Sequence, residues 1–351
     1  MTDQRAFPRA LTVLLCTASA VVTLAGIREV GSIAGPVMLA LVLVVAVAPI
    51  RTWLQRHRAP GWTLVAAPLL VVLLLLLGMV SILSLSLAQL ALLASTYSHR
   101  FDQLIVQAQQ LAVRLGLGTQ QMNQAIKAFD PGKIFDLLTG FASGLVGAFS
   151  SLVLIVVLLL AMCLDAPSFS RLLSVNATGQ RSGLIHALGV FAQKTRRYLA
   201  VSTGFGLICS VLDVGALWLL GVPLPFLWGV LALITNYVPN VGFVIGLIPP
   251  ALLALLEGGP KTMLLVIAAY IAINFVVQSL IQPKFLGDAV GLSTTMTMLS
   301  LLLWAFVLGP LGALLAIPLS LLTRALLIDS DPNGRWAAAL ISGEAPSDGR
   351  P

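Results

Sequence analysis

The stretch Leu224 to Leu256 reads LPFLWGVLALITNYVPNVGFVIGLIPPALLALL, apolar at both ends and interrupted by Asn236-Tyr237-Val238-Pro239-Asn240-Val241-Gly242. As one straight helix, residues 226–256 would extend about 46 Å at about 1.5 Å per residue. The hydrocarbon core of a bilayer is only about 30 Å thick. Proline removes a backbone donor and clashes with the preceding turn, and glycine permits a bend. A re-entrant hairpin of two short arms fits this length better than a straight span; a kinked helix that crosses is the alternative. Residues 296–323 repeat the design, with apolar Leu301 to Leu308, then Gly309-Pro310-Leu311-Gly312, then Ala313 to Leu322.

A full-length apolar run precedes each interrupted stretch, 199–221 before the first and 262–282 before the second. The order span–hairpin, span–hairpin is an internal repeat. If both stretches are hairpins, the first enters from outside and the second from the cytoplasm. The units are then inverted relative to each other, as in many secondary transporters. Glu257 to Lys261 lie outside if the stretches are hairpins and inside if they are kinked spans.

Four further runs, 10–27, 30–50, 61–88 and 141–164, reach the roughly 20 residues that cross a bilayer as a helix. Only 9% of residues are charged and 58% are apolar, whereas a soluble domain carries about 25% charged residues. Lipid as the main solvent resolves the deficit. The fold expected is an all-α integral membrane protein: about six full transmembrane helices, two re-entrant or broken hairpins and an amphipathic helical insertion on the outer side. Arg5 and Arg9 before an apolar run resemble a signal peptide, but a second apolar run follows without a cleavage site, so the first is read as a retained span. Lys and Arg cluster at the N-terminus, at Arg51, Arg56 and Arg58, and at Arg171, Arg181, Lys194, Arg196 and Arg197. All three regions fall on one side by span parity, which places them and both termini in the cytoplasm.

Five segments follow: N-terminal helices 1–88, the outer insertion 89–140, the fourth span with its basic segment 141–198, a transport core 199–325, and a cytoplasmic tail 326–351. In the insertion, Leu90, Leu93, Tyr97, Phe101, Leu104, Ala108, Leu111 and Leu115 recur at spacings of three and four. Such a stripe serves either a helix lying on its own bundle or one pairing with a neighbouring subunit.

Several polar residues are embedded in the apolar runs. Asp213 sits well inside 199–221, where a carboxylate is expensive and is a candidate for proton or cation coupling or for a substrate hydrogen bond. Its bland role is as partner to a freed backbone amide. Asn236 and Asn240 flank Pro239 and can either contact a solute or cap the two arms. Asn274 and Gln278 are one turn apart on a single face, suited to a cavity or to an interhelical hydrogen bond. Broken backbone persists at membrane depth where it lines a cavity, which adds Pro239, Gly242, Gly309, Pro310 and Gly312 to the candidates for substrate or ion binding. Facing hairpin tips would make a small polar site from helix ends. Ser293, Thr294 and Thr295 are positioned to cap the second hairpin.

The net charge of +7 sits in short loops, as orientation signals, and not on a nucleic-acid surface. Cys16, Cys163 and Cys209 lie singly in apolar runs with no metal-binding spacing. No HExxH occurs, Phe285 stands where a GxGD protease needs glycine, and Ser143 lacks the preceding glycine of a GxSG site. Neither an enzyme, a metal centre nor a cofactor is expected.

The interrupted stretches also carry a resemblance. Pro239-Asn240-Val241-Gly242, Ile248-Pro249-Pro250, Asn274, Gln282-Pro283-Lys284, Gly287, Gly291-Leu292-Ser293, Ser300 to Trp304, Gly309 to Leu315 and Ile317-Pro318-Leu319 resemble the autoinducer-2 exporter family of bacterial membrane proteins. The resemblance is specific over about 199–325 and loose before it, and Phe243 departs from the small residue or proline common in relatives. It implies a bacterial inner-membrane transporter that is homo-oligomeric. Some members are linked to autoinducer-2 export and others to sodium–proton exchange. The function expected is a secondary transporter exporting a small polar solute such as autoinducer-2, coupled to H+ or Na+. A sodium–proton antiporter and a passive channel are the alternatives.

Overall fold

The computed structural model describes residues 9–82, 84–85, 88–89, 106, 140, 152–175, 182–238, 241–282 and 291–330. The apolar stripe at 90–115, Pro239, Asn240, Pro283-Lys284 and the tail from 331 onward lie outside these residues. Within them the chain is helical and without strands. Helix α1 spans Arg9–Glu29, α2 Gly31–Arg56, α3 Thr63–Ile82, α4 Leu152–Val175 and α5 Ser182–Leu219. Then come α6 Pro225–Thr235, α7 Gly242–Asn274 with a π-helical continuation Phe275–Ile281, α8 Thr294–Leu314, and α9 Ala316–Arg324 with a π-helical end Ala325–Asp329.

Five helices among the described residues are long and apolar enough to cross a membrane. Large apolar side chains point away from the protein along them, with Leu219 80% and Leu302 68% exposed. Such outward faces suit lipid and would be unstable in water. Two boundaries differ from the expected spans. Helix α4 continues through Asp165-Ala166-Pro167 instead of ending at 164, so this proline is absorbed within a helix. Helix α5 begins at Ser182, so the basic segment and the span 199–221 are one rod of 38 residues.

The first interrupted stretch folds back on itself. A side chain added at Gly242 would collide with the Thr235 carbonyl, and one at Gly246 would meet Thr235 Oγ1 at 2.9 Å and Ala232 Cα at 3.6 Å. These pairings run antiparallel about Val238, so α6 and the first part of α7 are the two arms. The chain reverses again at Gly259, whose φ of 76° and ψ of −171° belong to a region essentially reserved for glycine. The long apolar segment 242–281 is therefore the returning arm plus the span expected at 262–282.

The second stretch has the same construction. Gly309 (φ 65°, ψ −145°) breaks α8, and a Cβ on Gly312 would collide with the Trp304 carbonyl. Within an unbroken helix those positions would be about 12 Å apart. Leu301 and Trp304 from the first arm pack with Leu315, Ala316 and Leu319 from the second, and Trp304 Nε1 donates to Ser320 Oγ at 3.0 Å. Ser293 accepts from the Met296 amide, so it caps the first arm as its position suggests.

Candidate functional site

Helix α5 lies along the first hairpin because small residues let the backbones meet. Gly229 sits against Val214 and Ser210, where a Cβ would clash, and Ser210 Oγ donates to the Gly229 carbonyl at 2.7 Å. Close approach through small residues and polar side chains is the usual means of joining helices in lipid. The hairpin tip is tied to the same helix. Tyr198 OH donates to the Tyr237 carbonyl at 3.0 Å, Thr203 Oγ1 and Tyr237 OH are 2.6 Å apart, and Asn236 Nδ2 donates to the Ser202 carbonyl at 2.8 Å.

Behind this anchor, α5, the first hairpin and the Tyr270–Gln278 segment enclose a small cavity. Its walls include Cys209, Asp213, Thr235, Asn236, Phe243, Gly246, Tyr270, Asn274 and Gln278, and its volume of about 10 Å³ is of the order of one water. Gln278 is the hub. Its Nε2 donates to Asn236 Oδ1 at 2.9 Å and to Asn274 Oδ1 at 2.6 Å, while Asn274 Nδ2 donates to the Tyr270 carbonyl at 2.8 Å. The π-helical turn carrying Gln278 starts directly after Asn274; such wide turns occur frequently at functional sites.

Two members of the cavity wall stay unsatisfied. Asp213 is 1% exposed and so is Tyr270, and neither Asp213 Oδ1 nor Tyr270 OH has a hydrogen-bond partner. A buried polar atom without a partner costs about 1–3 kcal/mol, more when charged. The cavity thus holds acceptor capacity and a phenolic hydroxyl beside a space for a small guest.

The structure brings Asp213, Asn236, Asn274 and Gln278 to this one cavity. Gly242 is placed at the root of the returning arm, where the arms touch. Asn236 does not cap an arm with its side chain; that side chain bridges α5 and Gln278. Gly309, Pro310 and Gly312 lie elsewhere. The second tip packs beside α2, with Gly31 3.6 Å from the Val307 carbonyl and Gly35 3.2 Å from Leu311 Cδ1, measured from an added Cβ. The first tip meets the flank of the second hairpin, where Val238 joins Leu301, Trp304 and Leu319.

Thr235, Gly246 and Tyr270 carry no mark in the sequence reading, and Cys209 and Phe243 enter it only as a lone cysteine and a departure from the family pattern, not as site residues. Spacing held a signal for two of them. Cys209 precedes Asp213 by one helical turn, and Tyr270 precedes Asn274 and Gln278 by one and two turns, which puts each on its polar partner's face.

A bundle of lipid-facing helices with two glycine-broken hairpins and a buried polar cavity defines a multi-pass membrane protein. The sequence model of the AI-2E family transporter matches residues 17–329, and the chain belongs to that family. It is 28% identical over 336 residues to the AI-2 transport protein TqsA of Escherichia coli K12, covering 95% of this chain and 96% of that one. It is 29% identical over 337 residues to the putative transport protein YhhT of the same strain, with 95% of each chain covered. A putative transport protein of Haemophilus influenzae is 27% identical over 333 residues, 93% of this chain and 95% of that one.

Proposed function

We propose that this protein is a secondary transporter that exports a small polar molecule such as autoinducer-2, with the Asp213 cavity as its coupling site. The observation that carries this reading is the pairing of an unpartnered buried carboxyl with an unpartnered buried phenol at one cavity. An ionisable residue held inside a membrane bundle is a functional candidate by default. A proton or a small cation beside Asp213 would relieve its isolation, and a solute rich in hydroxyls would find donors and acceptors in Asn236, Asn274 and Gln278. The likeness to the AI-2 transport protein TqsA of E. coli supports the substrate class. The protein acts in the bacterial inner membrane, with both termini in the cytoplasm and as a homo-oligomer.

A second reading, a sodium–proton antiporter of the same family, is favoured by the same oxygens. A carboxylate with amide carbonyls is a hard donor set that suits a hard cation. Flux into proteoliposomes separates the two readings. Autoinducer-2 movement driven by an imposed H+ or Na+ gradient supports the exporter. Gradient exchange of Na+ for H+ without autoinducer-2 movement supports the antiporter. Equal autoinducer-2 flux with and without a gradient removes coupling and leaves a channel.

A further inference from the structure

The Asp213 cavity is smaller than the solute proposed for it. Its volume of about 10 Å³ is of the order of one water, whereas pockets for small organic ligands begin at about 300 Å³. A solute of several carbons therefore reaches Asp213 only if part of the wall moves.

Most of the wall is fixed. Cys209, Asp213, Thr235, Gly246, Tyr270 and Asn274 line the cavity and are buried. The arms of the first hairpin meet where Gly242 and Gly246 lie against Thr235, and α5 meets α6 at Gly229. Of the lining residues only Asn236, Phe243 and Gln278 are half-buried, and these three form the mouth.

Two of the three are tied. Asn236 Oδ1 accepts from Gln278 Nε2, and Asn236 Nδ2 donates to the Ser202 carbonyl, so opening the mouth there breaks hydrogen bonds. The Phe243 side chain has no polar atom to be tied. It stands in the first turn of α7, where helix ends fray, and its ring changes position by rotation between staggered χ1 wells.

We infer that Phe243 is the size filter of this cavity. With the ring in place the cavity holds a water or a lone cation. With the ring swung away, a polar solute of several carbons gains Asp213 and its amide neighbours. For its bearing on transport the inference rests on the reading of the Asp213 cavity as the coupling site; for access to the cavity it does not.

Cys209, in the cavity wall and 2% exposed, reports access directly. The full chain in nanodiscs, with Cys16→Ser and Cys163→Ala, is treated with aminoethyl methanethiosulfonate, and the rate of Cys209 modification is followed by mass spectrometry. Phe243→Ala should react faster than the unaltered background by about tenfold or more, because thiol reactivity follows access. Phe243→Leu should accelerate it by a smaller factor, and this variant decides the matter if the alanine variant does not fold. Val244→Ala, at the adjoining exposed position, should react at the background rate. No acceleration in either Phe243 variant, or equal acceleration in Val244→Ala, overturns the filter. Autoinducer-2 flux in proteoliposomes is the separate readout. A changed rate in Phe243→Ala extends the filter to transport, whereas accelerated labelling with unchanged flux fails the coupling reading and leaves the filter standing.

Discussion

Gln278 Nε2 stands 2.9 Å from Asn236 Oδ1, across 42 positions of sequence. The distance is incompatible with an unbroken apolar segment from Gly242 to Ile281. A straight helix would carry Gln278 about 54 Å from Gly242. The hydrogen bond therefore marks the return of the chain at Gly259 and fastens the tip of the first hairpin to the span that follows it.

Removing that bond should loosen the hairpin. Gln278→Leu leaves the amide oxygens of half-buried Asn236 and buried Asn274 without this donor. The expected loss is about 1–3 kcal/mol, read as a lower unfolding midpoint in detergent. In a double-mutant cycle with Asn236→Ala the two losses should be subadditive by about 0.5 kcal/mol or more. Strict additivity would mean that the pair is not coupled.

Gly242→Ala tests the contact between the arms. Its Cβ would meet the Thr235 carbonyl, and backbone cannot yield as a side chain can. A cost of about 1–3 kcal/mol is expected from overpacking, with reduced yield of folded protein. Gly189→Ala is the matched control, because nothing lies within 4 Å of its added Cβ. It should be neutral or stabilising by up to about 1 kcal/mol, since alanine outranks glycine in a helix.

Asp213→Asn keeps shape and removes charge. Membrane insertion and melting should be retained or improved, because an unpaired buried carboxyl is itself costly. Coupled flux should fall by about tenfold or more, the factor given by about 1.4 kcal/mol of lost coupling. The pH profile of the remaining flux should be flat, since an amide neither gains nor loses a proton there. Normal flux with a wild-type pH profile would exclude Asp213 from coupling.

The reversal at Gly259 makes a topological prediction. On the proposed topology α3, α4 and α5 each cross once between His57 and the start of the first hairpin, and the hairpin returns to the side it left. In a background with Cys16, Cys163 and Cys209 replaced, an impermeant thiol reagent should label His57→Cys and Lys261→Cys from opposite faces of the membrane. Labelling of both from one face would contradict the hairpin.

Much of this was legible in the sequence, for identifiable reasons. Pro239 and Gly242 announce a break because their backbone chemistry is local, and Asp213 announces itself because charge is rare in an apolar run. Asn274 and Gln278 share a face by spacing alone. Partners could not be read, because they depend on how remote segments meet: Ser202 for Asn236 and Thr203 for Tyr237 are each 34 positions away. Gly259 escaped notice because a glycine in an apolar run can equally be packed in a helix, and only its backbone angles reveal the reversal. The packing of the second tip beside α2 was not legible either, because it depends on how Gly31 and Gly35 meet Val307 and Leu311.

The reach of the Gln278 bond bears on how the protein is made. Helix α6 has 11 residues, about 16 Å, too short to cross a bilayer by itself. When it leaves the ribosome its Asn236 has no amide donor waiting, because Gln278 is still 42 codons away. At about 5–20 residues per second that delay is some seconds. The first hairpin can therefore dock on α5, through Tyr198, Ser202 and Thr203, before it gains its tie to the following span.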